Sequence, residues 1–253
     1  CAYWHGLFGG LYLGHLRHAV YQELLAAEAL ADPVTVPRAE RADLDLDGEP
    51  EAILATPKLR AVVAPHPTGS VVELSSVEHG FNLADTLSRR PEAYHARLLG
   101  AAGGDPGGAA RSIHDVVRAK EPGLEGALVY DPYDRAIFVD HVAPREVSLD
   151  DLARGAVAPV APYALERTSS DASAAWAVLE AQAEGVRLRK TVRAAGATLR
   201  ASYEVHGLAE RAFVVEVAFT MLGGDDPERF WRVEPPELSG ADRKLASRGS
   251  FGE

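Results

Sequence analysis

Cysteine is almost absent. Cys1 stands alone among 253 residues, so no internal disulfide can brace the fold. Stability must come from a packed core, and a reducing cytoplasm fits such a chain. Basic residues are in deficit, with 26 Lys and Arg against 37 Asp and Glu, a net charge of −11. A surface of that sign repels phosphate backbones, which argues against nucleic acid as a partner and suits a neutral ligand. No apolar run approaches the roughly 18 residues of a membrane span, so no membrane partner is expected. Gly-x-Ser-x-Gly is missing, and the glycine-rich stretch 100–108 has no Gly-Lys-Ser/Thr after it. A serine triad and a phosphate-cradling loop therefore lack support. What remains is ample apolar material, 47% of the chain, enough to bury a core at this length.

Residues 1–14 hold three flat side chains in a row, Tyr3, Trp4 and His5, followed by Gly6, Gly9, Gly10 and Gly14. Each glycine weakens a helix interior by about 1 kcal/mol relative to alanine, and glycine lets a ligand or backbone approach closely. The cluster admits two readings: an aromatic plug under a helix start, or a platform for a sugar ring, whose apolar face stacks on an aromatic while its hydroxyls meet polar tips. From Leu11 to Ala31 the spacing predicts a helix with Leu13, Leu16, Val20, Leu24, Ala27 and Ala31 as one apolar stripe. His15 and His18 are spaced for metal ligands, but no third ligand follows, so solvated histidines are expected and no metal. Asp32-Pro33 stops the helix and marks a domain boundary.

Beyond Val34 the period changes. Apolar runs at 53–55, 59–64, 71–74, 127–130, 137–139 and 176–181 lie between turn signals. Leu199, Ala201, Tyr203 and Val205 alternate with polar residues after a strand from Val186 to Arg193, and Phe213, Val215, Val217 and Phe219 repeat the alternation. Period two predicts antiparallel strands over a core, in a sandwich. The acidic stretch Asp43 to Glu51 reads as a turn or exposed hairpin, with a calcium loop as the sharper alternative, although no twelfth-position Glu completes a calcium hand. Ser88 to Leu99 reads as a helix with Pro91 in its first turn, and Ser148 to Leu152 as a capped turn.

Seven acids, Glu73, Glu78, Asp85, Asp131, Asp134, Asp140 and Glu216, are candidates for chemistry that spacing alone cannot choose among. Asp131 and Asp134 around Pro132 read as turn formers. Asp140-His141 reads as a surface ion pair, or as a base with its orienter.

Three stretches carry a resemblance. Ala2-Tyr3-Trp4-His5-Gly6-Leu7-Phe8-Gly9-Gly10-Leu11-Tyr12-Leu13 with His15-Leu16-Arg17-His18-Ala19-Val20-Tyr21 is similar to the last segment of the catalytic domain in family 57 glycoside hydrolases, in the 4-α-glucanotransferase and α-amylase branch. Val77 to Leu83 with Leu87 to His95, and Val129 to Arg135 with Val139 to His141, resemble the start of that branch's C-terminal domain. The resemblance implies a mainly β chain: a mutarotase-like antiparallel β-sandwich (supersandwich) preceded by an N-terminal α-helix. Residues 1–32 would close the catalytic domain, and 33–253 would be the sandwich, cut short. In that branch an Asn-Asp pair precedes Ala-Tyr-Trp; here Cys1 stands there, so only Trp4 carries over as a cleft residue. The implied partners are an α-1,4-glucan or maltodextrin and a missing N-terminal catalytic barrel that holds the reactive carboxylates of a retaining glycosidase. Trp4, Tyr3 and His5 are then the expected substrate contacts. No catalytic residue, cofactor or metal is expected in this chain, which alone would be inactive. The alternatives are a structural or interaction sandwich without a sugar site, and a sugar epimerase on the same fold with a converging His and carboxylate.

Overall fold

The computed structural model describes residues 14–91, 95, 126 and 128–220. The chain forms two compact units, one made of the residues up to Thr86 with those from Arg135 onward, the other of Leu87–Asp134. In the larger unit, α1 (Gly14–Ala31) leads into β1 (Arg38–Ala42), β2 (Glu51–Ala55), β3 (Leu59–Ala64), β4 (Ser70–Ser76) and β5 (Phe81–Asn82). Then come β6 (Ile137–Pro144), the short helix α2 (Leu149–Ala153), β7 (Ala164–Ser170), β8 (Ala175–Ala183), β9 (Val186–Ala195), β10 (Thr198–His206) and β11 (Arg211–Val217).

These strands make two antiparallel sheets. One runs β1-β2-β3-β4-β6-β11, with β5 beside β4; the other runs β10-β9-β8-β7. The alternation read at 199–205 holds, since those residues turn inward and their neighbours are exposed. β9 alternates likewise, with Val186, Leu188, Val192 and Ala194 buried. One apolar cluster joins the sheets: Leu54, Val63, Val71 and Ile137 from the first, Leu179, Leu188 and Val192 from the second. A mainly β, two-sheet sandwich behind one helix is therefore what forms. β11 does not continue the sheet of β10; it crosses over and pairs with β6, Phe213 opposite Val142. Phe219 lies beyond its end.

Two expectations about elements change. Residues 128–130 form no strand, and Ser88–Pro91 are irregular, whereas His95 sits in a helical turn. Ala127, 92–94 and 96–99, like the glycine-rich 100–108, lie outside the described residues. The apolar stripe of α1 faces away from the sheet. Leu16, Val20 and Leu24 are 41%, 37% and 56% exposed, while Leu25 on the opposite side is 7% exposed. The side facing the sheet is largely polar. Arg17 pairs with Asp85 at 3.3 Å and Glu28 with Arg60 at 2.7 Å, and the His18 ring lies 4.9 Å from that of Phe81. Periodicity finds an apolar stripe but cannot say which body covers it.

Candidate functional site

Tyr3, Trp4 and His5 lie outside the described residues. What the fold does assemble is an ionic cluster between the sheets. Lys190, midway along β9, points inward on the same face as Val186, Leu188, Val192 and Ala194. Its ammonium donates to Gly69 O at 2.8 Å and Phe138 O at 2.7 Å, and meets Asp140 Oδ2 at 2.5 Å. Three protons thus meet three acceptors. Tyr163 donates its hydroxyl to the same carboxylate oxygen at 2.6 Å. The rings of Tyr163 and Tyr203 stand 4.9 and 5.6 Å from the Lys190 nitrogen, within cation–π range.

Backbone shape makes this possible. Gly69 and Phe138 both have positive φ, +61° and +63°, and both present their carbonyls to the ammonium. At Gly69 a Cβ would lie 2.3 Å from the Tyr163 ring, so only glycine fits there. Burial pulls the Lys190 ammonium below the ordinary lysine value, with Asp140 acting in opposition. Burial first, then the Asp140 charge, pushes the Tyr163 and Tyr203 hydroxyls well up. The Tyr203 hydroxyl and Asp140 Oδ1 are buried outside hydrogen-bond geometry. Lys190 and Asp140 have no solvent exposure, so a dissolved substrate does not reach them. The cluster is an inter-sheet clasp. Its signal was present in sequence, as a lysine on the inward phase of an alternating strand, and reading the strand only for its apolar members misses it.

Asp140-His141 is therefore neither a surface pair nor a base with its orienter. The two are buried, 0% and 1% exposed, and the pleat of β6 turns them to opposite faces. His141 directs Nδ1 at Val157 O and Ala158 O, 3.2 and 3.3 Å away, and Nε2 at Glu216, 3.4 Å away. Arg135 donates to both Glu216 oxygens, at 3.0 and 3.1 Å, and to Ala153 O. This imidazole is shut beneath residues 157–158, not displayed in an open hollow as an epimerase would need.

Most of the other acids are committed to cations. Asp131 accepts from Arg89 and Asp134 from Arg90, within the smaller unit. Asp85 holds Arg17. Glu73 accepts from Ser75 at 2.8 Å, and its burial, more than any nearby charge, raises its carboxyl above the ordinary value. Glu78 is exposed. The acidic stretch 43–51 links β1 to β2 as the expected hairpin loop. Asp43, Asp45 and Glu51 bring carboxylate oxygens within 4.8 Å of one another, and each accepts a backbone N–H of the same loop: Gly48 at 3.1 Å, Asp47 at 3.2 Å and Leu44 at 2.7 Å. The capped turn is present: Ser148 accepts from the Asp151 N–H at 3.1 Å. Among the described residues, no helix is long and apolar enough to cross a membrane.

The fold thus defines a class of domain, a two-sheet antiparallel sandwich with an apolar core and one ionic clasp between its sheets. Residues 43–249 match the family described as Alpha-amylase/4-alpha-glucanotransferase, C-terminal, and residues 1–31 match its middle domain. The chain belongs to this family. It is 41% identical over 151 residues to Alpha-amylase 1 of Dictyoglomus thermophilum, covering 60% of this chain and 21% of that protein. It is 36% identical over 150 residues to the 4-alpha-glucanotransferase of Thermococcus kodakarensis, covering 59% and 22%. Among solved structures, the 4-alpha-glucanotransferase of Thermococcus litoralis superimposes with a TM-score of 0.57 at 28% identity, over 81% of this chain and 29% of that one. The chain spans about a fifth of the length of the curated relatives it matches.

Proposed function

We propose that this domain serves an α-glucan-acting enzyme of the 4-α-glucanotransferase or α-amylase kind, giving carbohydrate contact and cleft support while the reacting carboxylates sit on a preceding catalytic barrel. Residues 1–32 would close that barrel and 33–253 form the sandwich; the middle-domain match at 1–31 supports this division. The observation that carries the reading is α1. It grips the sandwich through Arg17–Asp85 and Glu28–Arg60 and turns Leu16, Val20 and Leu24 outward. A helix with its apolar stripe outward is built to lie between two bodies. The single cysteine accords with the cytoplasm.

Within the whole enzyme the reaction would be retaining cleavage of an α-1,4 bond, with transfer to a glucan hydroxyl or to water. Trp4 would stack on a glucose ring, flanked by Tyr3 and His5. Covering about 100 Å² of ring would contribute on the order of 2 kcal/mol. Titrating the chain with maltoheptaose, followed by tryptophan fluorescence, tests this. The expected result is a saturable change that Trp4→Ala abolishes. A flat titration in the parent chain, or an identical one in the variant, leaves a purely structural sandwich as the reading.

A further inference from the structure

The outward face of the four-stranded sheet carries a pattern that holding the core together does not require. Register places Arg200, Arg193, Trp176 and Ser169 side by side across β10, β9, β8 and β7. The next row is Ser202, Thr191, Val178 and Arg167; the third has Glu204, Arg189 and Glu180; the fourth has His206, Arg187 and Gln182. These rows hold five arginines against two glutamates in a chain of net charge −11. One arginine is neutralised locally, Arg189 by Glu180 at 2.6 Å. Arg193 reaches Ser173 Oγ at 3.4 Å, and its charge acts on the Asp171 carboxylate that accepts from the same hydroxyl. Arg167, Arg187 and Arg200 are exposed and make no hydrogen bond or ion pair among the described residues.

We propose that this face is a second glucan-contact surface, selective for α-glucan chains that bear phosphate monoesters. The glucan class rests on the function proposed above; the site and the phosphate preference do not follow from it. Trp176, half-buried beside the buried Val178 on the same face, supplies an apolar plane on which one ring stacks. Arg193 and Arg200, next to it in the same row, present guanidinium forks that match a phosphate in bidentate fashion. Ser169 completes the row as a donor to ring hydroxyls. Strands about 4.8 Å apart make the row roughly 14 Å long, the span of a short run of glucose units. A basic island on an acidic protein favours anionic groups locally, while the remainder repels extended polyanions such as nucleic acid.

Affinity electrophoresis of the 253-residue chain tests this, in gels holding phosphate-rich amylopectin and in gels holding the same polymer after phosphatase treatment. Retardation is expected in the first and should fall about tenfold in apparent affinity after phosphatase, in Trp176→Ala and in the pair Arg193→Gln, Arg200→Gln. Trp4→Ala should leave the phosphate-dependent difference intact, which separates this site from the one at Trp4. Arg193 and Arg200 are exposed and Trp176 is half-buried, so a single cooperative urea transition with the parent's slope confirms that each variant folds. Equal retardation before and after phosphatase overturns the proposal, as does no retardation at all, or one that Trp176→Ala does not change. Equal retention in a heparin gel overturns it too, by making the face a general polyanion binder.

Discussion

Replacing Lys190 by methionine keeps the length and apolar stem of the side chain and removes its charge. Three contacts disappear together: Asp140 Oδ2 at 2.5 Å, Gly69 O at 2.8 Å and Phe138 O at 2.7 Å. The Asp140 carboxylate is then left fully buried with one donor, the Tyr163 hydroxyl. Breaking a buried pair from one side costs about 3–5 kcal/mol, and two stranded carbonyls add about 1–3 kcal/mol each where water cannot enter. The expected loss is thus at least about 5 kcal/mol, or about 10–20 °C in Tm for a domain of this size. Urea unfolding at pH 7, followed by circular dichroism, measures it. Removing Asp140 as well, in Lys190→Met with Asp140→Leu, should restore at least half of the loss, since an apolar pair of similar volume replaces a buried ionic one at little cost. A loss below about 1 kcal/mol at pH 7 would refute the clasp.

Other tests concern α1 and the sheet beneath it. Glu73 lies near α1 with its carboxyl held above the ordinary value of 4.5 by burial. Its ionisation therefore penalises the fold as pH rises through that raised value, and the penalty vanishes below 4.5. Glu73→Gln should melt higher than the parent at pH 7 and converge with it as pH falls to 4.5; parallel melting curves across that range would contradict the assignment. Leu25→Ala should cost about 2–4 kcal/mol because Leu25 is buried, whereas Leu24→Ala, one residue away on the exposed stripe, should stay within about 0.5 kcal/mol. Equal losses at the two positions, read from urea midpoints of this chain, would mean that α1 lies with its other face against the sheet.

The legibility of this protein divides along a physical line. Local patterns fixed what depends on one segment at a time. The alternation 199–205 set a strand and its inward face, Asp32-Pro33 stopped a helix, and Ser148 capped a turn, because pleat, proline sterics and side-chain-to-backbone bonding all act within a few residues. The motifs around Tyr3-Trp4-His5 and Val77 to Leu83 carried the family, because shared ancestry is written in residues. Pairing across the molecule decided the rest. Nothing near β11 announces that it leaves the sheet of β10 for β6. Nothing around Leu16, Val20 and Leu24 reveals that the sandwich takes the opposite side of the helix. Asp140 and His141 are neighbours in sequence, yet one joins Lys190, 50 positions on, and the other Glu216, 75 positions on. An ion pair between strands has no local signature. It exists only once two sheets close over it and exclude water, and that closure is a property of tertiary structure.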